Sequence, residues 1–329
     1  MTGDAAGNGA TPAPAAGETP GAGVPPPVPS PPERSPTLAY PRLIAHRGGG
    51  AGFVGLAPEN TLAGLAAAHA AGYRGVEFDV MLSADGIPFL HHDDTLERTT
   101  SGKGPIAAAS AAVLDRLDAG RWRDPAYAGE ALPRLAAALE LCLDAGLWIN
   151  LEIKPTTGRD RATAQAVAAT LLARWPTLAG PPSAPNNGGT PGNRSPAADP
   201  VSTFAPPPLV VSSFSPAALA EIARLVPALP RALLVGALPR DGLAQCRALG
   251  CCGLHLDATY LDRRTLAALR TAAPDLRLAA YTVNDPARMA ELFAAGIDAL
   301  FTDRIDLDPL GLVPATPVGA LPAGPGNVV

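Results

Sequence analysis

Residues 75–100 read GVEFDVMLSADGIPFLHHDDTLERTT, and the first seven letters decide the fold. Val76, Phe78 and Val80 alternate with Glu77 and Asp79, the period of two that belongs to an extended strand. Pleating puts both carboxylates on one face, about 7 Å apart at Cα. The other face is apolar and needs cover from a second layer. Residues 147–154, LWINLEIK, repeat the arrangement, with Glu152 and Lys154 on one face and Leu151 and Ile153 on the other. Surface salt bridging would leave those apolar faces in water, so both segments read as strands of a sheet wrapped by helices.

Working outward, short apolar runs alternate with Ala/Leu-rich runs of helical length. Candidate strands are 43–46, 75–81, 147–154, 209–214, 232–236, 253–257, 277–283 and 299–302. Candidate helices are 60–71, 135–145, 162–174, 216–225, 241–249, 263–272 and 286–295, each with apolar positions three or four apart. Gly72, Gly146, Gly250 and Gly296 stand at helix stops. Eight strands with intervening helices predict a closed (β/α)8 TIM barrel, with an open doubly wound sheet as the competing architecture. A small insertion follows the second strand over 83–134, and its first part, SADGIPFLHHD, predicts a hairpin turning at Asp85-Gly86.

Three segments lack the large aliphatic and aromatic side chains that offset the entropy of ordering. Residues 1–37 are expected to be a disordered Pro/Ala-rich tail, 180–208 a low-complexity loop inserted within the 38–312 barrel, and 313–329 a flexible C-terminal tail. With 25 basic and 30 acidic residues the net charge is -5, which argues against a nucleic-acid partner. No run of about 18 apolar residues predicts a transmembrane segment. The first 40 residues lack the basic start and apolar core of a secretory signal. Cys142, Cys246, Cys251 and Cys252 lack paired CxxC spacing and read as reduced thiols, so a cytoplasmic setting is expected.

Chemistry concentrates at strand ends. His46 ends the first strand and is followed by Arg47 and three glycines, a backbone that can approach an anion closely. Arg47 offers a planar fork to phosphate oxygens. If Glu77, Asp79, Glu152 and Lys154 share one barrel mouth, three carboxylates can hold a hard divalent cation while the ammonium holds an anion. Strand alternation sends His91 and His92 to opposite faces, so one of them faces the site, oriented by Asp93 or Asp94. A second imidazole opposite His46 gives a proton acceptor and a proton donor near neutral pH. His69, in an Ala-rich helix, reads as structural, and His255 has no catalytic pattern beside it.

These pieces together resemble the glycerophosphodiester phosphodiesterase family: HRG from His46, APENT at 57–61, ExD at Glu77 and Asp79, HDDTLERTT at 92–100, LEIK at 151–154, YTVN at 281–284 and FTD at 301–303. They recur in order from residue 43 to about 306. The resemblance implies a (β/α) barrel that takes a small-molecule glycerophosphodiester, uses a divalent metal, Mg²⁺ or Ca²⁺, and releases sn-glycerol 3-phosphate and an alcohol. It implies His46 and His92 as the acid/base pair and Glu77, Asp79 and Glu152 as metal ligands. Arg47 and Lys154 would hold phosphate, with Glu59 supporting the site.

Two features depart from the family pattern. Eight residues, 50–57, separate HRGG from PENT, a longer link than expected. Tyr281 stands where the family commonly has Trp, which alters how the glycerol or alcohol packs. The nucleophile would be the glycerol 2-hydroxyl or a metal-activated water. Two alternatives stay open here: a same-fold phosphodiesterase acting on lysophospholipids or other diesters, with Phe53, Val54 and Leu56 as the apolar hint, and an idle barrel that only binds glycerol phosphates.

Overall fold

The computed structural model describes residues 39–52, 54–179, 208–309 and 311. The tails expected at 1–37 and 313–329, and all of the 180–208 insertion but Pro208, lie outside the described residues. In chain order the elements are β1 (Leu43–Ala45), α1 (Leu62–Ala70), β2 (Gly75–Leu82), β3 (Pro88–Leu90), α2 (Ala111–Leu114), α3 (Leu135–Asp144), β4 (Trp148–Ile153), α4 (Asp160–Arg174) and β5 (Leu209–Ser213). They continue with α5 (Pro216–Leu225), β6 (Arg231–Val235), α6 (Gly242–Ala248), β7 (Gly253–Asp257), α7 (Arg263–Ala272), β8 (Arg277–Tyr281), α8 (Pro286–Ala294) and β9 (Ala299–Thr302).

Eight of the strands pair in parallel around a ring, and the pairing of Ala45 with Val76 closes it between β1 and β2. An open doubly wound sheet is thereby excluded, and the fold is a (β/α)8 barrel. β3 stands outside the ring, antiparallel to β2 with Met81 opposite Phe89, which is the hairpin expected from Asp85-Gly86. Gly86 takes φ +83°, the left-handed conformation that such a tight turn requires.

All eight residues of β2 are buried, as expected for a strand covered on both faces. Ile44, Trp148, Val210, Ala232, Ala279, Ala299 and Phe301 form an inner core, inside the barrel. The other parity packs outward, where Val76, Phe78, Leu151 and Ile153 meet Leu65, Leu139 and Val167 from the helices. A third cluster, including Met81, Phe89, Leu96, Ile106 and Leu114, gives the 83–134 insertion a core of its own.

Helix starts follow local chemistry. Thr61, Ser215 and Asp262 accept hydrogen bonds from the backbone of Gly64, Ala218 and Thr265, and Pro286 occupies the first turn of α8. Strand ends are shorter than the sequence pattern implies. His46 and Lys154 lie one residue beyond β1 and β4, although their amides still donate to Thr302 O and Val80 O across the ladder. The 277–283 run stops being a strand at Tyr281.

Candidate active site

Inward parity runs straight into the mouth. Beyond the inner core, the same alternation brings His46, Glu77, Asp79, Asn150, Glu152, Lys154, Phe214, Leu234, Tyr281 and Phe301 to a single cavity of about 270 Å³, also lined by Arg47, His92 and Thr282. Thus strand register, not loop folding, sets the spacing of most of the site. Glu77 sits level with Asn150, and Asp79 with Glu152.

The carboxylates of Glu77, Asp79 and Glu152 are all buried and offer oxygens within 4.8 Å of one another. Glu77 Oε1 and Glu152 Oε1 have no hydrogen-bond partner. Burial and the charges of Asp79 and Glu152 push Glu77 well above the usual carboxylate range. Burial and Asp79 raise Glu152 to about 8. Asp79 goes the other way: burial opposes ionisation, but Arg47, His92, Lys154 and the Asn60 amide outweigh it. Three clustered carboxylates with two unsatisfied buried oxygens fit a hard divalent cation, which takes oxygen ligands and offsets their mutual repulsion.

His46 Nδ1 pairs with Asp303 Oδ1 at 2.7 Å, and its Nε2 lies 3.9 Å from Glu77 Oε2. Asp303 is fixed in turn by the Asn284 side chain at 2.8 Å and the Ala51 amide at 2.8 Å. Burial raises Asp303, but its bonds to His46 and Asn284 hold the carboxyl below its ordinary range. His92 Nδ1 pairs with Asp93 Oδ1 at 2.7 Å. A carboxylate at Nδ1 selects the tautomer that leaves an Nε2 lone pair available, and both rings line the cavity. Burial lowers the His92 pKa, opposed by the Asp79 charge.

Of the adjacent histidines, His91 is buried away from the cavity, its ring paired with Thr95 O at 3.0 Å. His69 lies on α1, outside the cavity. His255 is enclosed inside the barrel against the Tyr40 hydroxyl, and burial lowers it to about 3.

Arg47 adopts φ +53°, which turns its amide to Glu77 Oε2 at 2.8 Å while its guanidinium meets Glu59 Oε1 at 2.8 Å and Asp79 Oδ2 at 3.5 Å. The glycines after it permit tight folding of the long 50–57 link. A Cβ on Gly50 would lie 2.3 Å from Asp303 O, and one on Gly49 2.6 Å from Ala57 O. The link is anchored at Ala51 on Asp303, at Gly52 on Glu59 and at Gly55 O by Arg123.

Glu59 does not line the cavity. It is buried behind Arg47, accepting bonds from Arg47, Arg98 and the Gly52 amide. Burial disfavours its charge, but the Arg98 hydrogen bonds and the Arg47 charge hold it at about 2. A carboxyl whose pKa falls from 4.5 to about 2 on folding contributes about 3 kcal/mol at neutral pH. The contribution is complete above pH 4.5 and disappears as pH falls through about 2. Acid titration of thermal stability should therefore show a smaller loss between those limits in Glu59→Gln than in the native chain; equal slopes would contradict the assignment.

Tyr281 uses its hydroxyl on Val235 O at 2.8 Å and sets its ring edge-to-face with Phe214. With Leu234 and Phe301 these rings form an apolar wall opposite the charged side. Sequence reading passed over Asp303, Asn284, Asn60 and Arg98 as individual site residues. Asp303 shares inward parity with Phe301, so a polar residue just past a strand end was the available signal for it.

The cysteines are free, three of them buried. Among the described residues no helix is long and apolar enough to cross a membrane.

Known proteins resemble this chain in sequence and fold. A solved Oleispira antarctica phosphodiesterase, in complex with the product sn-glycerol-3-phosphate, is 35% identical; the match covers 80% of this chain and 93% of that one, with a TM-score of 0.67. YhdW of Bacillus subtilis is 29% identical over 270 residues, covering 80% of this chain and 95% of the relative. A glycerophosphodiester phosphodiesterase of the same bacterium is 27% identical over 274 residues, 80% of this chain and 84% of its own. Residues 46–307 match the glycerophosphoryl diester phosphodiesterase family, spanning both histidines and the acidic cluster. On that match and the closed barrel that carries it, the chain belongs to the glycerophosphoryl diester phosphodiesterase family.

Proposed function

We propose that this chain hydrolyses small glycerophosphodiesters to sn-glycerol 3-phosphate and an alcohol, with His46 and His92 as the acid/base pair. The observation that carries the reading is one cavity holding two carboxylate-backed imidazoles, a three-carboxylate cluster and the cations Arg47 and Lys154. When bound by Glu77, Asp79 and Glu152, a divalent cation, Mg²⁺ or Ca²⁺, supplies positive charge against the phosphodiester anion. Arg47 presents a guanidinium fork and Lys154 an ammonium to the non-bridging oxygens.

One imidazole takes, at its Nε2, the proton of the nucleophile: a water, which gives sn-glycerol 3-phosphate directly, or the glycerol 2-hydroxyl, which gives a cyclic phosphate that a water then opens to sn-glycerol 3-phosphate. The other delivers a proton to the leaving alcohol oxygen, so the departing group never carries a full negative charge. Asp303 and Asp93 hold the rings in the required tautomer and stabilise each imidazolium as it forms. The apolar wall of Phe214, Leu234 and Tyr281 receives the uncharged part of the substrate. Four free thiols suit a reducing compartment, and we place the enzyme in the cytoplasm on that ground.

Incubating the chain with glycerophosphocholine and a divalent cation should release sn-glycerol 3-phosphate and choline in equal amounts. Release of phosphocholine and glycerol instead would reverse the assignment of the leaving group.

A further inference from the structure

Arg98 lies outside the cavity, on the insertion that follows β2, and nothing in the reaction described above uses it. Its side chain is 41% exposed, yet it makes four hydrogen bonds to two carboxylates. Nε and one terminal nitrogen meet Asp93 at 2.5 and 3.0 Å, and the two terminal nitrogens meet Glu59 at 2.8 and 2.9 Å. Each carboxylate has a second client inside the cavity. Asp93 Oδ1 holds His92 Nδ1, and Glu59 Oε1 holds Arg47.

The chain His92–Asp93–Arg98–Glu59–Arg47 is therefore continuous, and its two ends are an acid/base imidazole and a phosphate-binding guanidinium. Its members come from two separate loops, one following β1 and one following β3. Among the described residues only the His92 imidazole besides Arg98 pairs with Asp93, and only Arg47 besides Arg98 forms an ion pair with Glu59. Without the Arg98 fork, Asp93 is free to leave His92, and the buried Glu59 charge rests on Arg47 and the Gly52 amide.

We infer that Arg98 is a positioning residue that locks the imidazole of His92 and the guanidinium of Arg47 in register through Asp93 and Glu59, an inference that rests on the hydrolytic reading above. A planar fork is needed for this. A lysine ammonium carries the same charge but cannot bind two carboxylates side by side in fixed geometry. Misplacement of about 1 Å in a reacting group can cost about 10²-fold in rate.

The test compares Arg98→Ala and Arg98→Lys with the native chain, using glycerophosphocholine and the divalent cation that supports native turnover. Arg98→Ala is expected to lower kcat by about 10²-fold and to raise KM, since both ends of the chain are released. Arg98→Lys should remain at least about tenfold low in kcat despite its charge. Added guanidinium ion should restore part of the Arg98→Ala turnover and none of that of His92→Ala. An activity-independent signal completes the test: the Nδ1 proton of His92, seen by nuclear magnetic resonance and assigned by its loss in His92→Ala, should be lost or shifted upfield in Arg98→Ala.

Native kcat and KM in folded Arg98→Ala, or full activity in Arg98→Lys, would overturn the inference, as would an unmoved Nδ1 proton. If the native chain itself fails to turn over the diester, the hydrolytic reading falls, and the imidazole signal alone then decides whether Arg98 holds the ring.

Discussion

His92→Ala is expected to lower kcat at least about 10²-fold, the scale of general acid/base catalysis, while His91→Ala keeps near-native turnover per folded molecule. Neighbouring letters have opposite fates because β3 ends beside them. The His91 amide donates to Asp79 O, continuing the antiparallel ladder, and its ring is enclosed against Thr95 O. His92 then points the other way, into the cavity with Asp93 behind it. Removing His91 costs a buried hydrogen bond and should appear as lowered thermal stability, by about 1–3 kcal/mol. Steady-state kinetics on both purified variants, with melting curves alongside, separates the two effects. Near-native turnover of folded His92→Ala would remove that ring from the reaction.

Glu152→Gln carries the second large effect. In the metal-free chain, burial and Asp79 hold Glu152 at about 8, so at neutral pH it is mostly protonated and the amide imitates it. A carboxyl raised above its unfolded value favours the folded state below about 4.5, and that contribution is lost as pH rises through about 8. The metal-free variant should therefore be about as stable as the native chain below pH 4.5 and increasingly more stable from there up to about pH 8, where the difference levels off. Toward metal the sign reverses. A cation must displace the Glu152 proton, so native affinity should climb with pH up to about 8. The variant has no proton to displace and one anionic ligand fewer, and should need more than about 10²-fold as much metal for half-maximal activity. Titration calorimetry at several pH values reads both outcomes, and unchanged affinity in Glu152→Gln would contradict the ligand assignment.

The barrel was legible because two of its strands alternate with a period of two, short apolar runs mark the others, and the helices keep apolar positions three or four apart. Glu77, Asp79, Glu152 and Lys154 followed from parity alone, since a covered strand leaves its polar residues only the mouth to face. His46 was legible from its place at a strand end beside Arg47 and three glycines. What the letters did not carry was pairing over long separations. Asp303 supports His46 across 257 positions, and no local pattern announces that contact. The choice between His91 and His92 likewise needed the register of β3, although the family pattern pointed to the ring that lines the cavity. The longer 50–57 link folds back on Asp303 and Glu59 because Gly49 and Gly50 admit backbone contacts closed to other residues. Strand ends differed by a residue or two where the ladder continues past the last regular pair.

Turnover of glycerophosphocholine after exhaustive chelation tests most directly whether the acidic cluster and the two imidazoles work as one site. The chelated chain should release no sn-glycerol 3-phosphate above background, and restoring Mg²⁺ or Ca²⁺ should recover turnover in the native chain at concentrations that leave Glu152→Gln inactive. Undiminished turnover in the chelated protein would mean that Glu77, Asp79 and Glu152 hold no catalytic metal.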